Sequence, residues 1–276
     1  MLQNEPMARL RGVEAWAQAM ISAELGLPVV KHDDGSSPGM YDLTIDPDGR
    51  RGAVEVTACT DPESAETWNL MNGRGEVWAV NGLRGGWLVT VLPSCRVRQL
   101  KAELPTLLRR LEAGDITNLD LADGPTSDWL EPLIERLGIT SAYQGGTSRP
   151  GSIYLTLELE PERVGGQVPS NGDAVAAWCG EFLREPEQAD VLDKLRRSGA
   201  SDRHAFVFVP GLTPAPWPVP YLLMADPVPL PAIALDLPSD VTHAWVASTW
   251  STMTGLRWSP DVGWRHFSKT VAAADV

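Results

Sequence analysis

Four residues, Asp46-Pro47-Asp48-Gly49, leave the chain around them little choice of conformation. Proline fixes its own φ, and the Asp-Gly pair supplies the left-handed backbone of a tight turn. The runs on either side, Gly39–Ile45 and Ala53–Ala58, alternate in polarity as half-buried strands do. The whole segment therefore reads as an antiparallel hairpin. A turn centred on Asp48-Gly49 brings Asp42 opposite Glu55, Thr44 opposite Ala53 and Met40 opposite Thr57. The two-residue period puts Asp42, Thr44, Ala53, Glu55 and Thr57 on one face. Tyr41, Leu43, Ile45, Val54, Val56 and Ala58 fall on the other, which is apolar and is expected to meet the core.

Directly opposed side chains in such a pair have Cβ atoms about 4.5–5.5 Å apart, and like charges placed so destabilise a sheet. Asp42 and Glu55 are tolerable together if a cation lies between them, if one is protonated, or if both reach bulk water. Mg²⁺ takes hard oxygen ligands and often uses only one or two carboxylates beside waters and phosphate oxygens. The carbonyl of Val56 would add a third oxygen. The plain alternative is an exposed hairpin with two solvated acids.

The rest of the chain alternates helices with strands. Met7–Leu25 carries a helical apolar period that Gly26 stops, and Pro28–Lys31 reads as a strand. Asp61-Pro62 has the chemistry of a helix start. Further helices are expected over Ser94–Ala113, Ser127–Leu137, Ala174–Arg184 and Glu187–Arg197. Strands are expected over Gly86–Leu92, Ser152–Leu159, His204–Val209 and Thr242–Ala247. Leu212–Pro238 is too rich in proline for regular structure, and Arg257–Phe267 reads as an aromatic tail. The class is thus α/β with a mixed sheet flanked by helices. A composition shift at residues 160–172 suggests a boundary, with a core over residues 1–160 and a C-terminal α/β extension over 161–276 that could continue the same sheet.

The 276 residues are 43% apolar and 21% charged, an ordinary globular balance that excludes wholesale disorder. A net charge of −13 argues against a general nucleic-acid coat protein, because non-specific affinity for phosphates needs cations. A nuclease with a local basic patch is not excluded. Lysine is scarce, at Lys31, Lys101, Lys194 and Lys269 only. Cys59, Cys95 and Cys179 are far apart and odd in number, which fits core thiols in a reducing cytoplasm better than zinc ligands. No apolar run has transmembrane length and the N-terminus lacks a signal-type h-region, so a cytoplasmic protein without a membrane partner is expected.

Gly12-Val13-Glu14 opens a helix. A strand, the Asp34-Gly35-Ser36-Ser37-Pro38-Gly39 loop, Asp42 and then Glu55-Val56-Thr57 follow. This order of elements over residues 8–92 resembles the PD-(D/E)xK nuclease superfamily, in its restriction-endonuclease-like and Holliday-junction-resolvase-like branches. The resemblance implies a restriction-endonuclease-like fold in which Glu14 is the helix acid, Asp42 the strand aspartate and Glu55 the glutamate of the ExK motif. It implies catalysis by Glu14, Asp42, Glu55 and Thr57, with Mg²⁺ or Mn²⁺ held by Asp42, Glu55 and the Val56 carbonyl. DNA is the implied substrate, and a homodimer or a protein partner is compatible with it. Thr57 stands where the motif has lysine, so a migrated cation is sought at Lys31, Arg50 or Arg51. A catalytically silent scaffold that binds protein or nucleic acid is the second reading.

Other features carry less. Arg74 and Arg84 sit in glycine-rich stretches and could meet phosphates. Trp217, Trp245, Trp250, Trp258 and Trp264 could stack on bases, although packing is the usual role of tryptophan. His32 could act as a base or a phosphate ligand.

Overall fold

The computed structural model describes residues 12–49, 52–72, 78–120, 129–158, 170–211, 213–249 and 252–270. The chain opens with helix α1 (Val13–Leu25) and strands β1 (Val29–Lys31), β2 (Leu43–Ile45) and β3 (Gly52–Ala58). The next stretch holds α2 (Pro62–Asn72), β4 (Trp78–Ala79), β5 (Trp87–Val91), α3 (Val97–Ala113), β6 (Asn118–Asp120), α4 (Glu131–Leu137), β7 (Ile139–Gln144) and β8 (Ser152–Leu157). The last part contributes α5 (Asp173–Phe182), a 3₁₀ turn at Pro186–Gln188, α6 (Ala189–Arg197), β9 (Asp202–Val209), α7 (Pro218–Leu223), β10 (His243–Ser248), β11 (Thr254–Ser259) and β12 (Gly263–Ser268). The class is α/β, as expected, with two mixed sheets. Among the described residues no helix is long and apolar enough to cross a membrane.

The elements form two compact units. One takes the described residues from 61 to 160, the other those before 61 and after 160. This differs from a division into 1–160 and 161–276. The reason lies in the pairing of β3 with β9, which is parallel. Parallel neighbours need a long crossover, and here residues 61–160 are carried inside that connection together with α5 and α6. Pairing between residues about 150 positions apart leaves no local sequence signal.

The second unit is built on a seven-stranded sheet in the order β1-β2-β3-β9-β10-β11-β12. β9 is the run Asp202–Val209, buried along most of its length. The uninterrupted apolar run Ala205–Val209 within it suits the centre of a sheet covered on both faces. One face packs Val54, Phe206, Phe208, Trp245 and Phe267 against Ala17, Met20 and Ile21 of α1. The other packs Ala53, Ala205, Val207 and Val246 against α5, α6 and α7. β11 and β12 form a hairpin, Thr254 opposite Ser268 and Ser259 opposite Gly263, where an aromatic tail was expected. The proline-rich segment contains the short α7, because its prolines fall in the first turn, where no N–H is needed.

The first unit carries a five-stranded sheet, β4-β8-β5-β7-β6. β4, β6 and β7 were not expected. β4 and β6 are only two and three residues long, too short for a period to register.

Candidate functional site

The hairpin register is the one its turn dictates: Leu43 opposes Val54, Thr44 opposes Ala53 and Ile45 opposes Gly52. Asp46 adopts a left-handed φ of 48° and Asp46 Oδ1 accepts a bond from Gly49 N at 3.4 Å. Continued by one pair, this register sets Asp42 beside Glu55. The backbone confirms the approach, because Val56 N donates to Asp42 Oδ2 at 2.7 Å. In a strand the N–H and C=O of one residue face the same edge. The Val56 carbonyl therefore faces the edge where Asp42 stands.

The face that carries the acids is not open. Asp42 is 8% exposed and Glu55 2%. Ala53 precedes Glu55 and Ala205 of β9 lies beside it. These small side chains let α6 come down on the sheet, so the reading of two solvated acids fails. Tyr41 also departs from its expected face. It leaves the strand period and packs with the cluster under α6, and its hydroxyl oxygen accepts a bond from Thr44 Oγ1 at 3.2 Å.

α6 brings Lys194 to the acids. Its Nζ lies 3.5 Å from Glu55 Oε2 and 3.1 Å from Asp190 Oδ2, one turn back on the same helix. Burial works against the ammonium, but Glu55, Asp190 and Asp42 outweigh it and hold the lysine above its ordinary range. A cation thus reaches the acids from an element 137 positions beyond Thr57 in the chain. Nothing local could have flagged it. The shortage of lysines was the available hint, since only four positions had to be considered.

Thr57 itself donates to Gln188 Oε1 at 3.0 Å. Lys31, one of the sought cations, instead pairs with Glu14 at 3.5 Å. Arg50 and Arg51 lie outside the described residues, as do Arg74 and Trp250. Glu14 stands in the first turn of α1, and its charge reaches Asp42. Glu14 thus acts on Asp42 alone of the two hairpin acids, and only Asp42 and Glu55 share the sheet face.

The electrostatics follow from burial. Desolvation raises Asp42, helped by Glu14 and Asp33 and opposed by the Val56 N–H and by Lys194. Desolvation and the adjacent Asp42 push Glu55 up to about 8, despite Lys194. Glu55 Oε1 is buried and has no hydrogen-bond partner. A buried carboxylate with one oxygen unsatisfied is costly unless protonated or joined by a cation. In its deprotonated state the carboxylate offers oxygen chemistry suited to a hard divalent ion. Among the described residues no three His, Cys, Asp or Glu side chains form a complete metal cage, so waters and substrate oxygens would have to fill the remaining positions.

The other candidates are accounted for by packing. Arg84 Nη2 donates to Asp115 Oδ1 at 3.0 Å and its own N–H to Glu112 Oε2 at 2.7 Å. Trp245 is buried, Trp217 lies tilted against Tyr221, and Trp258 and Trp264 pack on the core. His32 stacks on Tyr41, with ring centroids 3.9 Å apart. No protein-family model, curated protein or solved structure matches the chain.

Proposed function

We propose that this chain is a metal-dependent nuclease of the PD-(D/E)xK type, hydrolysing DNA phosphodiester bonds with Mg²⁺ or Mn²⁺ on a restriction-endonuclease-like core. The observation that carries the reading is the buried Asp42–Glu55 pair with an unsatisfied Glu55 oxygen and an ammonium 3.5 Å from the other. Acid, acid and lysine are the three chemical parts of the motif, with the lysine arriving from α6 rather than from position 57.

Asp42, Glu55 and the Val56 carbonyl would hold the ion, with Glu55 losing its proton as it binds. The ion would polarise the phosphodiester and lower the pKa of a water. Lys194 would donate a hydrogen bond to the attacking water or to a phosphoryl oxygen, placing positive charge where negative charge develops. The water's oxygen would bond to phosphorus as it gives up a proton to solvent, the P–O bond to the leaving sugar would break, and the leaving oxygen would take up a proton from solvent. Glu14 would order a water at the edge of the site. A cytoplasmic setting accords with the odd number of cysteines.

Calorimetry with Mg²⁺ and Mn²⁺ on the wild type and on Asp42→Ala tests the first step, and binding abolished by the substitution is the expected result. Absence of binding in both proteins would sink the enzyme reading. Cleavage of plasmid and branched DNA then separates an active enzyme from a silent scaffold. The latter draws support from Thr57, which carries no charge and spends its hydroxyl hydrogen on Gln188.

A further inference from the structure

A cleft of about 690 Å³ opens beside the acids, between the loop before β2 and the C-terminal end of α6. Its walls include His32, Tyr41, Lys194 and Arg197. Among the described residues no aspartate or glutamate lines it, in a chain whose net charge is −13. Positive and neutral walls in so acidic a protein mark a place for an anion.

Two details give the anion a shape. Arg197 Nε donates to Asp193 O at 3.2 Å, and the guanidinium lies against Gly39. A Cβ at position 39 would come within 3.1 Å of Nη1, and the φ of +77° there already favours glycine. The guanidinium is thereby oriented, as bidentate recognition of a phosphate requires. The His32 ring is backed on one side by Tyr41, at an interplanar angle of 9°. Tyr41 is in turn fixed by the core cluster and by Thr44. His32 is thus a supported, half-buried ring at the wall of a cleft.

We propose that this cleft takes an unpaired nucleotide of a DNA strand, with its phosphate on Arg197 and its base stacked on the His32 ring. The proposal rests on the nuclease reading and narrows its substrate to DNA with a single-stranded segment at the cut. The volume falls within the range of about 300–1,000 Å³ typical of clefts for small ligands, which suits one nucleotide and not a duplex. Net charge leads to the same class. A chain this acidic gathers little affinity from a long duplex backbone, whereas stacking on an aromatic ring contributes about 1–3 kcal/mol per base without long tracts of cations.

Fluorescence anisotropy in EDTA, with a labelled oligothymidylate and a blunt duplex of equal length, tests the proposal without needing cleavage. The single strand is expected to bind about tenfold tighter than the duplex. His32→Ala and Arg197→Ala should each weaken it about tenfold, and His32→Phe, which keeps a flat ring, should restore most of the loss. Thermal melts of each variant separate lost binding from lost folding. Duplex binding equal to or tighter than single-strand binding would overturn the proposal, as would unchanged affinity in folded His32→Ala. If metal-dependent cleavage fails while these binding results hold, the nuclease reading falls and the nucleotide cleft stands. Cleavage of duplex with no preference for single strands gives the reverse.

Discussion

At the scale of single residues, Glu55 is where stability and function pull apart. Its carboxyl is buried, next to Asp42, and pushed up to about 8. In the unfolded chain a glutamate titrates near 4.3. Between those values the folded state binds the extra proton, so stability falls as pH rises through this window. Below the unfolded value the contribution is fully present, and above about pH 8 it is lost. Glu55→Gln keeps the shape and removes the titration. Without metal it should be more stable than the wild type at pH 8, by about 2 kcal/mol, and its urea midpoint should decline less steeply than that of the wild type, keeping only the contribution of the raised Asp42. A parallel decline in both proteins would refute the assignment. Metal affinity should run the opposite way in the wild type, rising toward pH 8 as the competing proton is lost.

Lys194 supplies the complementary residue-scale test. Lys194→Met removes the ammonium 3.5 Å from Glu55 but leaves the oxygens of Asp42 and Glu55 in place. Metal binding should survive while cleavage falls by about 100-fold or more, since a positioned donor at developing charge contributes about 10²–10³ in rate. Cleavage at the wild-type rate in this variant would show that the lysine only balances charge.

At the scale of elements, the proline-rich segment after residue 212 shows how a stretch without regular periodicity becomes ordered. Asp173 Oδ1 accepts bonds from Ala232 N and Ile233 N at 2.6 and 3.2 Å, and Arg184 reaches Asp236 O at 3.1 Å. α5 therefore holds the segment along its side. Gly180 makes the approach possible, for a Cβ there would lie 2.5 Å from Asp236 O. Gly180→Ala gains helix propensity but forces backbone apart, so a net loss of about 1–3 kcal/mol is expected from overpacking, read as a lower midpoint in urea. A stabilised variant would mean that the segment does not rest on α5. In the other unit, Glu112 ties a glycine-rich loop to α3. Its carboxylate accepts from Arg84 N, Gly85 N, Trp87 Nε1 and Gln144 Nε2. Glu112→Ala strands several donors and should cost about 3 kcal/mol, measured on the same denaturation curve.

The same scale explains what the sequence disclosed. The hairpin was legible because turn chemistry and a two-residue period are local, and they fixed which residues oppose Asp42 and Thr44. The start of α2 was legible for the same reason: Asp61 Oδ2 accepts from Ser64 N at 3.0 Å, as a capping aspartate does. Tyr41 escaped because it precedes the regular strand, where alternation no longer sets direction. The burial of Asp42 and Glu55 escaped because it depends on α6, whose placement follows from Ala53 and Ala205 acting together across two distant strands.

At the scale of the molecule, connectivity decides what can fold without the rest. The seven-stranded unit draws β1, β2 and β3 from one end of the chain and β9 to β12 from the other, with its two core clusters on opposite sheet faces. The described residues from 61 to 160 contribute no strand to that sheet. They bury their own apolar set instead, including Trp87, Val89, Leu104, Leu108, Ile134 and Leu155, a core of the kind a domain of about 100 residues needs. Expressed alone, residues 61–160 should show a cooperative thermal transition and dispersed amide resonances. A chain ending at residue 60 should not, because β3 would lack β9 and expose Val54 and Ala53 together. If the isolated 61–160 segment is unfolded, its core depends on the remainder of the chain, and the division into two units does not hold as an energetic statement. If it folds, the acids, Lys194 and the cleft all belong to the other unit. Replacing residues 61–160 by a short flexible linker should then preserve metal binding by Asp42 and Glu55, because every side chain of the candidate site lies in what remains.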